Sequence, residues 1–373
     1  MTIVYGLVAL GIIVFLHEMG HFAAAKWCGV GVEAFSVGMG PVLLHKNWRG
    51  TDWRLSLVPL GGYCAMKGEQ DMLKAYDDGM DAVHAAPDSM FGVKPLCRAA
   101  IGFAGPFANL LFAVIASTVV AMVGYTYYAA GPQIRLANEI YPDIASAAAD
   151  AGLQSGDTIL TINGQPVSDF SDIAATVARH PDETVTVVVE RAGKMLTYAV
   201  RTTMAENGAG RIGVVSIPES VVQREAKRYA FFPALWQGIR ETGGTFVLTV
   251  KGIGLLFKGA SVSETVSGPA RITTMLGSTV QDGFRSGFRT GLAALLQFMA
   301  VISVSLFMMN LLPVPVLDGG LILFSLIEAI FGTTIPPKVR IRVQYIGLAL
   351  IAALFAVAMA GDITYFIRKF HEK

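Results

Sequence analysis

Four stretches of this chain are apolar over a length that fits a bilayer, and polar or alternating sequence separates them. They are residues 3–28, 99–123, 290–312 and 343–360. A membrane-crossing helix needs about 20 such residues. The first run has no charged residue from Ile3 to Leu16. The second carries Gly102, Gly105 and Pro106, which suit close helix packing, and Asn109, a buried amide that needs a partner and is expected either to face the site or to serve packing; Tyr125, Tyr127 and Tyr128 follow it as an interfacial belt. The stretches between the runs read differently. Gly31–Pro41 and Thr51–Tyr63 are punctuated by glycine. In the second, Trp53, Leu55 and Leu57 alternate with Arg54, Ser56 and Val58. Two hairpin-like strands joined by His45–Gly50 are expected. Residues 66–96, with Asp71, Asp77, Asp78, Asp81 and Asp88, read as a solvated loop.

The long polar stretch, residues 131–217, has the pattern of an α+β domain. Gly152–Ile159 leads into Ile162 and an Asn163-Gly164 hairpin turn. A helix is expected from Ser168 to His180, then strands Thr184–Arg191 and Lys194–Arg201 around Ala192-Gly193. Residues 229–258 are apolar but interrupted by Arg240, Glu241, Lys251 and Lys258, which favours an interfacial amphipathic helix over a span. Asn310–Gly320 holds Pro313, Pro315, Gly319 and Gly320, and breaks the third span at membrane depth. Such breaks are tolerated where backbone lines a polar site.

Composition agrees. The chain of 373 residues is 53% hydrophobic and 15% charged, with mean hydropathy +0.53. Soluble domains carry about 25% charged residues. A polytopic α-helical membrane protein follows, with four transmembrane helices, a membrane-associated β-hairpin region and an inserted α+β domain. A net charge of +1 gives no electrostatic case for nucleic acid. Cys28, Cys64 and Cys97 are far apart and form no C-x-x-C, so neither a disulfide framework nor a thiolate metal site is expected. The N-terminal run has no basic n-region and reads as a retained span.

The chemistry sits in the first run. His17-Glu18-x-x-His21 is an H-E-x-x-H pattern. Helical i, i+4 spacing puts both imidazoles on one face, where they can share a metal ion, and Glu18 stands where it can take a proton from water. Two histidines leave a ligand wanting, because catalytic zinc has three protein ligands. His45, His84, His180 and His371 lie in polar loops or at the C-terminus. Asp318, a carboxylate beside the break, is the candidate third ligand; its alternative is a helix N-cap for 319–331. Ligation by Asp318 requires the ends of spans one and three to lie on one side. Crossings between 124 and 290 are then even in number, which makes 229–258 interfacial. The resulting order is 1–28, span one with the zinc motif; 29–98, a loop with the hairpin at 31–63; 99–124, span two; 131–217, the inserted domain; 218–285, interfacial helix and linker; 286–331, span three and the broken segment; 332–373, turn and span four. Lys46, Arg49, Arg54, Lys67, Lys74, Lys94 and Arg98 in the 29–98 loop put that side, and the site, toward the cytoplasm.

The inserted domain resembles a bacterial PDZ domain on its Gly-Leu-x-x-Gly-Asp-x-Ile…Ile-Asn-Gly pattern. The whole chain resembles the site-2 protease family of intramembrane zinc metalloproteases, in the bacterial branch that acts on membrane anti-sigma factors or remnant signal peptides. The carriers are the His17–His21 motif, Ala104-Gly105-Pro106-x-x-Asn109, Ser267-Gly268-Pro269 and Asn310-x-x-Pro313-x-Pro315-x-Leu317-Asp318-Gly319. One PDZ domain stands where better-known relatives carry two, and Leu321 stands where a His often follows Asp-Gly-Gly. The resemblance implies one Zn²⁺ on His17, His21 and Asp318, with Glu18 catalytic. It implies a membrane-reentrant β-hairpin, and substrate contacts from Asn310, Asn109, Pro313 and Pro315. The expected substrates are single-span proteins already cut once outside the membrane. The expected location is the bacterial inner membrane with the PDZ domain on the periplasmic side, where it filters by size or binds peptides. The alternative is a catalytically inactive membrane PDZ scaffold or chaperone with a structural metal site.

Overall fold

The computed structural model describes residues 2–80, 83, 85–141, 144–205, 209–256 and 269–371. The chain forms two compact units. One combines residues 1–125 with 227–373, and the other is residues 126–226.

The first unit opens with α1 (Thr2–Trp27). Strands β1 (Val32–Trp48) and β2 (Thr51–Met66) follow. Each is longer than the alternation predicts, because the turn is only two residues, Arg49-Gly50 at φ 53° and 77°, the left-handed pair that a tight hairpin needs. The antiparallel register breaks between Val37 and Val42, and the hairpin folds over itself. Ala34, Phe35, Ser36 and Val37 then lie beside both the 62–65 segment and Asp52–Leu55. The predicted apolar face is split, with Trp53 packed on Phe22 and Phe35 at 5.2 and 4.9 Å between ring centroids. Leu55 and Leu57 are exposed, while Ser56 is buried and shares a 2.9 Å hydrogen bond with Ser36. The expected loop at 66–96 holds a short helix, α2 (Asp71–Asp77), seated by Met72 and Ala75. Seven residues are too few for a helical period to show in the sequence. Asp81 and His84 lie outside the described residues. Helix α3 (Pro95–Val123) begins a turn earlier than expected and takes Arg98 into its buried face.

The inserted unit begins with β3 (Thr126–Ala130) and β4 (Ile134–Leu136), so the tyrosine belt is in part strand. It continues through α4 (Ala147–Asp150), β5 (Thr158–Ile162), β6 (Gln165–Pro166) and α5 (Phe170–Ala178), which Asp169 caps by accepting from the Asp172 N–H. β7 (Thr184–Arg191) and β8 (Lys194–Arg201) match the alternation, and β6-β5-β7-β8 make one sheet. Pairs β9 (Thr203–Met204) with β10 (Gly210–Arg211), and β11 (Val214–Ser216) with β4, complete the unit. β12 (Val221–Glu225) returns beside β3. The core is Ile134, Leu153, Ile159, Ile162, Ile173 and the inward valines of β7. At its edge Arg191 donates to Asp157 at 2.6 and 2.7 Å. Burial alone would push the Asp157 carboxyl up; the guanidinium and the Gln154 N–H hold it below the usual carboxylate range.

The chain re-enters the first unit as α6 (Phe231–Leu256). The expectation of one interfacial helix and linker for 218–285 is replaced by β12, α6 and α7 (Pro269–Arg285). α6 packs lengthwise on α3. The Tyr229 N–H donates to the Ala121 carbonyl at 3.0 Å, and Phe246 meets Phe307 at 6.4 Å. α7 packs Val280 against Ile13 of α1 and Met299. Ser267 and Gly268 of the Ser-Gly-Pro motif lie outside the described residues. Met299 belongs to α8 (Phe288–Asn310); after it come α9 (Asp318–Phe331) and α10 (Pro337–His371). Among the described residues four helices are long and apolar enough to cross a membrane: Gly6–Trp27, Pro95–Val123, Phe288–Asn310 and Pro337–Ile363. α6 is not one of them.

Candidate metal centre

His17 and His21 sit one turn apart on α1, as their spacing requires. The broken segment Leu311–Leu317 brings Asp318 to them from α9. Asp318 is the first residue of that helix, and Leu317 holds the N-cap position without a side-chain cap. The capping alternative is therefore not what the carboxylate does. His17 Nε2 lies 3.2 Å from Asp318 Oδ2, His21 Nε2 lies 3.4 Å from Oδ1, and the two Nε2 atoms are 3.2 Å apart. Among the described residues the cluster holds His17, His21 and Asp318, and neither His45 nor His180 joins it.

Those three separations can be compared with a tetrahedron. Zinc bonds of about 2.0–2.1 Å imply ligand-to-ligand edges of roughly 3.3–3.4 Å. The two imidazole nitrogens, each with one oxygen of the same carboxylate beside it, are thus spaced as ligands of one ion would be. The two imidazole nitrogens face each other at 3.2 Å with a carboxylate beside both, a donor set of the kind zinc takes. The residues fit the ion.

The surrounding shell fixes the imidazoles. His21 Nδ1–H donates to the Ile101 carbonyl at 2.8 Å, which leaves the Nε2 lone pair for metal. The Asn109 side-chain amide lies 3.2 Å from His17 Nδ1, and its Oδ1 has no hydrogen-bond partner although the residue is fully buried. With Oδ1 turned to accept from Nδ1–H, the orphan is satisfied and His17 presents Nε2 in the same tautomer as His21. Gly105 lets α3 approach so closely that a Cβ there would stand 2.2 Å from His21 Nε2.

A cavity of about 900 Å³ opens on the site. Its walls include Glu18, the edge of β2 from Tyr63 to Met66, Pro315 and Arg340. Glu18 therefore faces the space that the ligands face. The expected substrate contacts divide. Pro315 lines the cavity; Asn109, Asn310 and Pro313 are not among its lining residues. Asn109 is turned to His17 because its stretch of α3 packs on α1. The Asn310 amide is 3.5 Å from His17 Nε2, and Pro313 is exposed. Ile101 escaped the sequence reading because a backbone carbonyl carries no residue signature. Gly105 did carry one, a small residue in the span facing H-E-x-x-H, but its first reading was packing alone.

A helical unit with two histidines, a carboxylate and a further glutamate at one cavity has the residue set of a metalloprotease-type centre. The chain belongs to peptidase family M50, the site-2 protease family, whose model matches residues 5–354. A Treponema pallidum protein is 36% identical over 97% of this chain and 99% of its own length. An Agrobacterium fabrum protein is 34% identical over 97% and 95%, and one from Campylobacter jejuni 33% over 96% and 92%. All three bear the name "Putative zinc metalloprotease". A solved PDZ domain of a Listeria monocytogenes protein aligns with 23% of this chain and 88% of that domain, at 18% identity and a TM-score of 0.19.

Proposed function

We propose that the chain is a membrane-embedded zinc endopeptidase. It hydrolyses a peptide bond within the transmembrane segment of a single-span protein, of the anti-sigma factor or remnant signal peptide type, after a first cut outside the membrane. The observation that supports the reading is the convergence of two imidazole nitrogens and the Asp318 carboxylate beside Glu18, in a unit with four apolar helices. His17, His21 and Asp318 hold one Zn²⁺. When bound, the ion polarises the scissile carbonyl and acidifies a water. Glu18 takes the proton of the attacking water and returns it to the leaving amide nitrogen. Ile101 and Asn109 keep the two imidazoles in the metal-binding tautomer. A transmembrane helix hides its peptide bonds in internal hydrogen bonds, so the segment must unwind. The Tyr63–Met66 edge of β2, on the cavity wall, offers the unwound segment a strand to pair with. Asn310 and Pro315 flank its path.

The protein resides in a bacterial cytoplasmic membrane, with the site toward the cytoplasm and residues 126–226, read as a PDZ domain, on the periplasmic side. There the domain admits trimmed substrates or binds their exposed ends. The complete ligand set counts against an inactive scaffold. Glu18→Gln decides between the two. The purified variant should keep its zinc and lose cleavage of a single-span substrate in detergent by at least about a hundredfold, the lower range for loss of a general acid-base. Normal turnover by the variant would end the protease assignment.

A further inference from the structure

One group on the cavity wall has no part in that reaction. Arg340, on α10, is 3% exposed and is the one Lys or Arg among the described lining residues. Its guanidinium lies between the rings of Phe91 and Phe324, 5.1 Å from each centroid. Its Nη1 is 3.7 Å from Glu328 Oε1, too long for a hydrogen bond, and neither Nε nor Nη1 has a hydrogen-bond partner. Glu328 is already engaged. Its Oε2 accepts from Arg98 Nη2, and its Oε1 accepts from the Ile335 N–H at 3.2 Å. Two guanidiniums thus share one carboxylate, and the cluster keeps a net positive charge. Buried donors without acceptors are costly, and a planar fork is shaped for a carboxylate.

Its position sets the register. Glu328 follows Asp318 by ten residues on α9, about 15 Å along the helix axis. An extended peptide at about 3.3 Å per residue covers that distance in roughly four or five residues.

We infer that Arg340 is a specificity residue that receives a carboxylate of the substrate, supplied by an acidic side chain roughly four or five residues from the bond that is cut. The inference rests on the protease reading above. A second source offers the same chemistry: the new C-terminus of a product that slides along the cavity.

The test uses the full chain in detergent. Model single-span substrates carry one Asp, or one Asn, at each position from three to six residues on either side of the cut. At one such position the kcat/KM ratio of Asp to Asn should reach about tenfold, the usual scale of a charge-assisted hydrogen bond. In Arg340→Gln that ratio should fall to about one, and Arg340→Lys, charged but unforked, should fall between. A variant that merely folds poorly loses both substrates alike, so the ratio stands apart from stability. In a parallel arm the N-terminal product is offered as inhibitor with a free or an amidated C-terminus. A free-acid advantage that Arg340→Gln removes, with Asp and Asn cut alike, assigns the carboxylate to the product. Equal handling in both arms, or preferences that survive Arg340→Gln, overturns the inference while leaving the protease reading intact. If the parent chain cuts no substrate and its Glu18→Gln variant behaves identically, the protease reading fails and takes this one with it.

Discussion

The three residues that converge at the candidate metal centre were legible because each has a local signature. His17 and His21 are a helical turn apart, and Asp318 stands alone as a carboxylate beside a Pro/Gly break. What holds them was not legible to the same degree. The partner of His21 is the carbonyl of Ile101, which any residue would supply. Asn109 was singled out as a buried amide in need of a partner, but whether that partner is substrate or His17 depends on the rotation of α3 against α1. Gly105 gives the sharpest residue-scale prediction. Alanine there would put a Cβ 2.2 Å from His21 Nε2, on a helix whose backbone cannot retreat without moving Ile101 as well. Displacing a ligand's support costs about 10–100-fold in metal affinity. Gly105→Ala should therefore require a higher free zinc concentration for half-occupancy, read by competition against a chelator of known affinity, and cleavage should fall with occupancy. Unchanged zinc affinity would mean that α1 and α3 do not approach as closely as drawn.

At the scale of elements, the strands that face water on one side were read almost to the residue. β7 and β8 alternate and meet at a turn-forming pair, so period and turn chemistry agree. The elements that pack on helices were read less well. The hairpin folds over itself, buries Val32 and Phe35 and turns Leu55 and Leu57 outward, and nothing in a two-residue period reveals which face is covered. In α6 the charged residues hid a packing face. Gly238 sits where a Cβ would meet Thr118 Oγ1 at 2.3 Å, the Thr118 N at 2.8 Å and the Val114 carbonyl at 2.9 Å. Two of those atoms are backbone and cannot yield, so any larger residue must lift α6 from α3. Overpacking of this kind costs about 1–3 kcal/mol. In a Thr118→Cys background with Cys28, Cys64 and Cys97 changed to Ala, where position 118 is buried, Gly238→Leu should expose the thiol to a maleimide reagent that labels the parent slowly. Equal labelling in both would show that α6 does not depend on this contact.

The whole molecule is a unit with four long apolar helices interrupted by an inserted one, and the sequence marked that insertion by its change of period. The structure adds how the interruption closes. β3 and β12 pair from Thr126 with Glu225 to Ala130 with Val221, so the chain leaves and returns through one ribbon. Facing residues of an antiparallel pair have Cα atoms about 5 Å apart. Every core residue of the inserted unit lies between 134 and 212, and each ligand and support of the metal centre lies outside 126–226. The two units therefore share no core residue, and the ribbon can be shut without a gap by an Asn-Gly turn joining Ala130 to Val221. The shortened chain should bind zinc as the parent does and should still cut a substrate trimmed in advance. If residues 126–226 act as the filter proposed above, it should also cut the untrimmed form, which the parent leaves intact. Retained discrimination by the shortened chain would move the filter into the helical unit, to the cavity and its Arg340 wall. Loss of zinc would instead show that the metal centre depends on the inserted unit, against the separation of their cores.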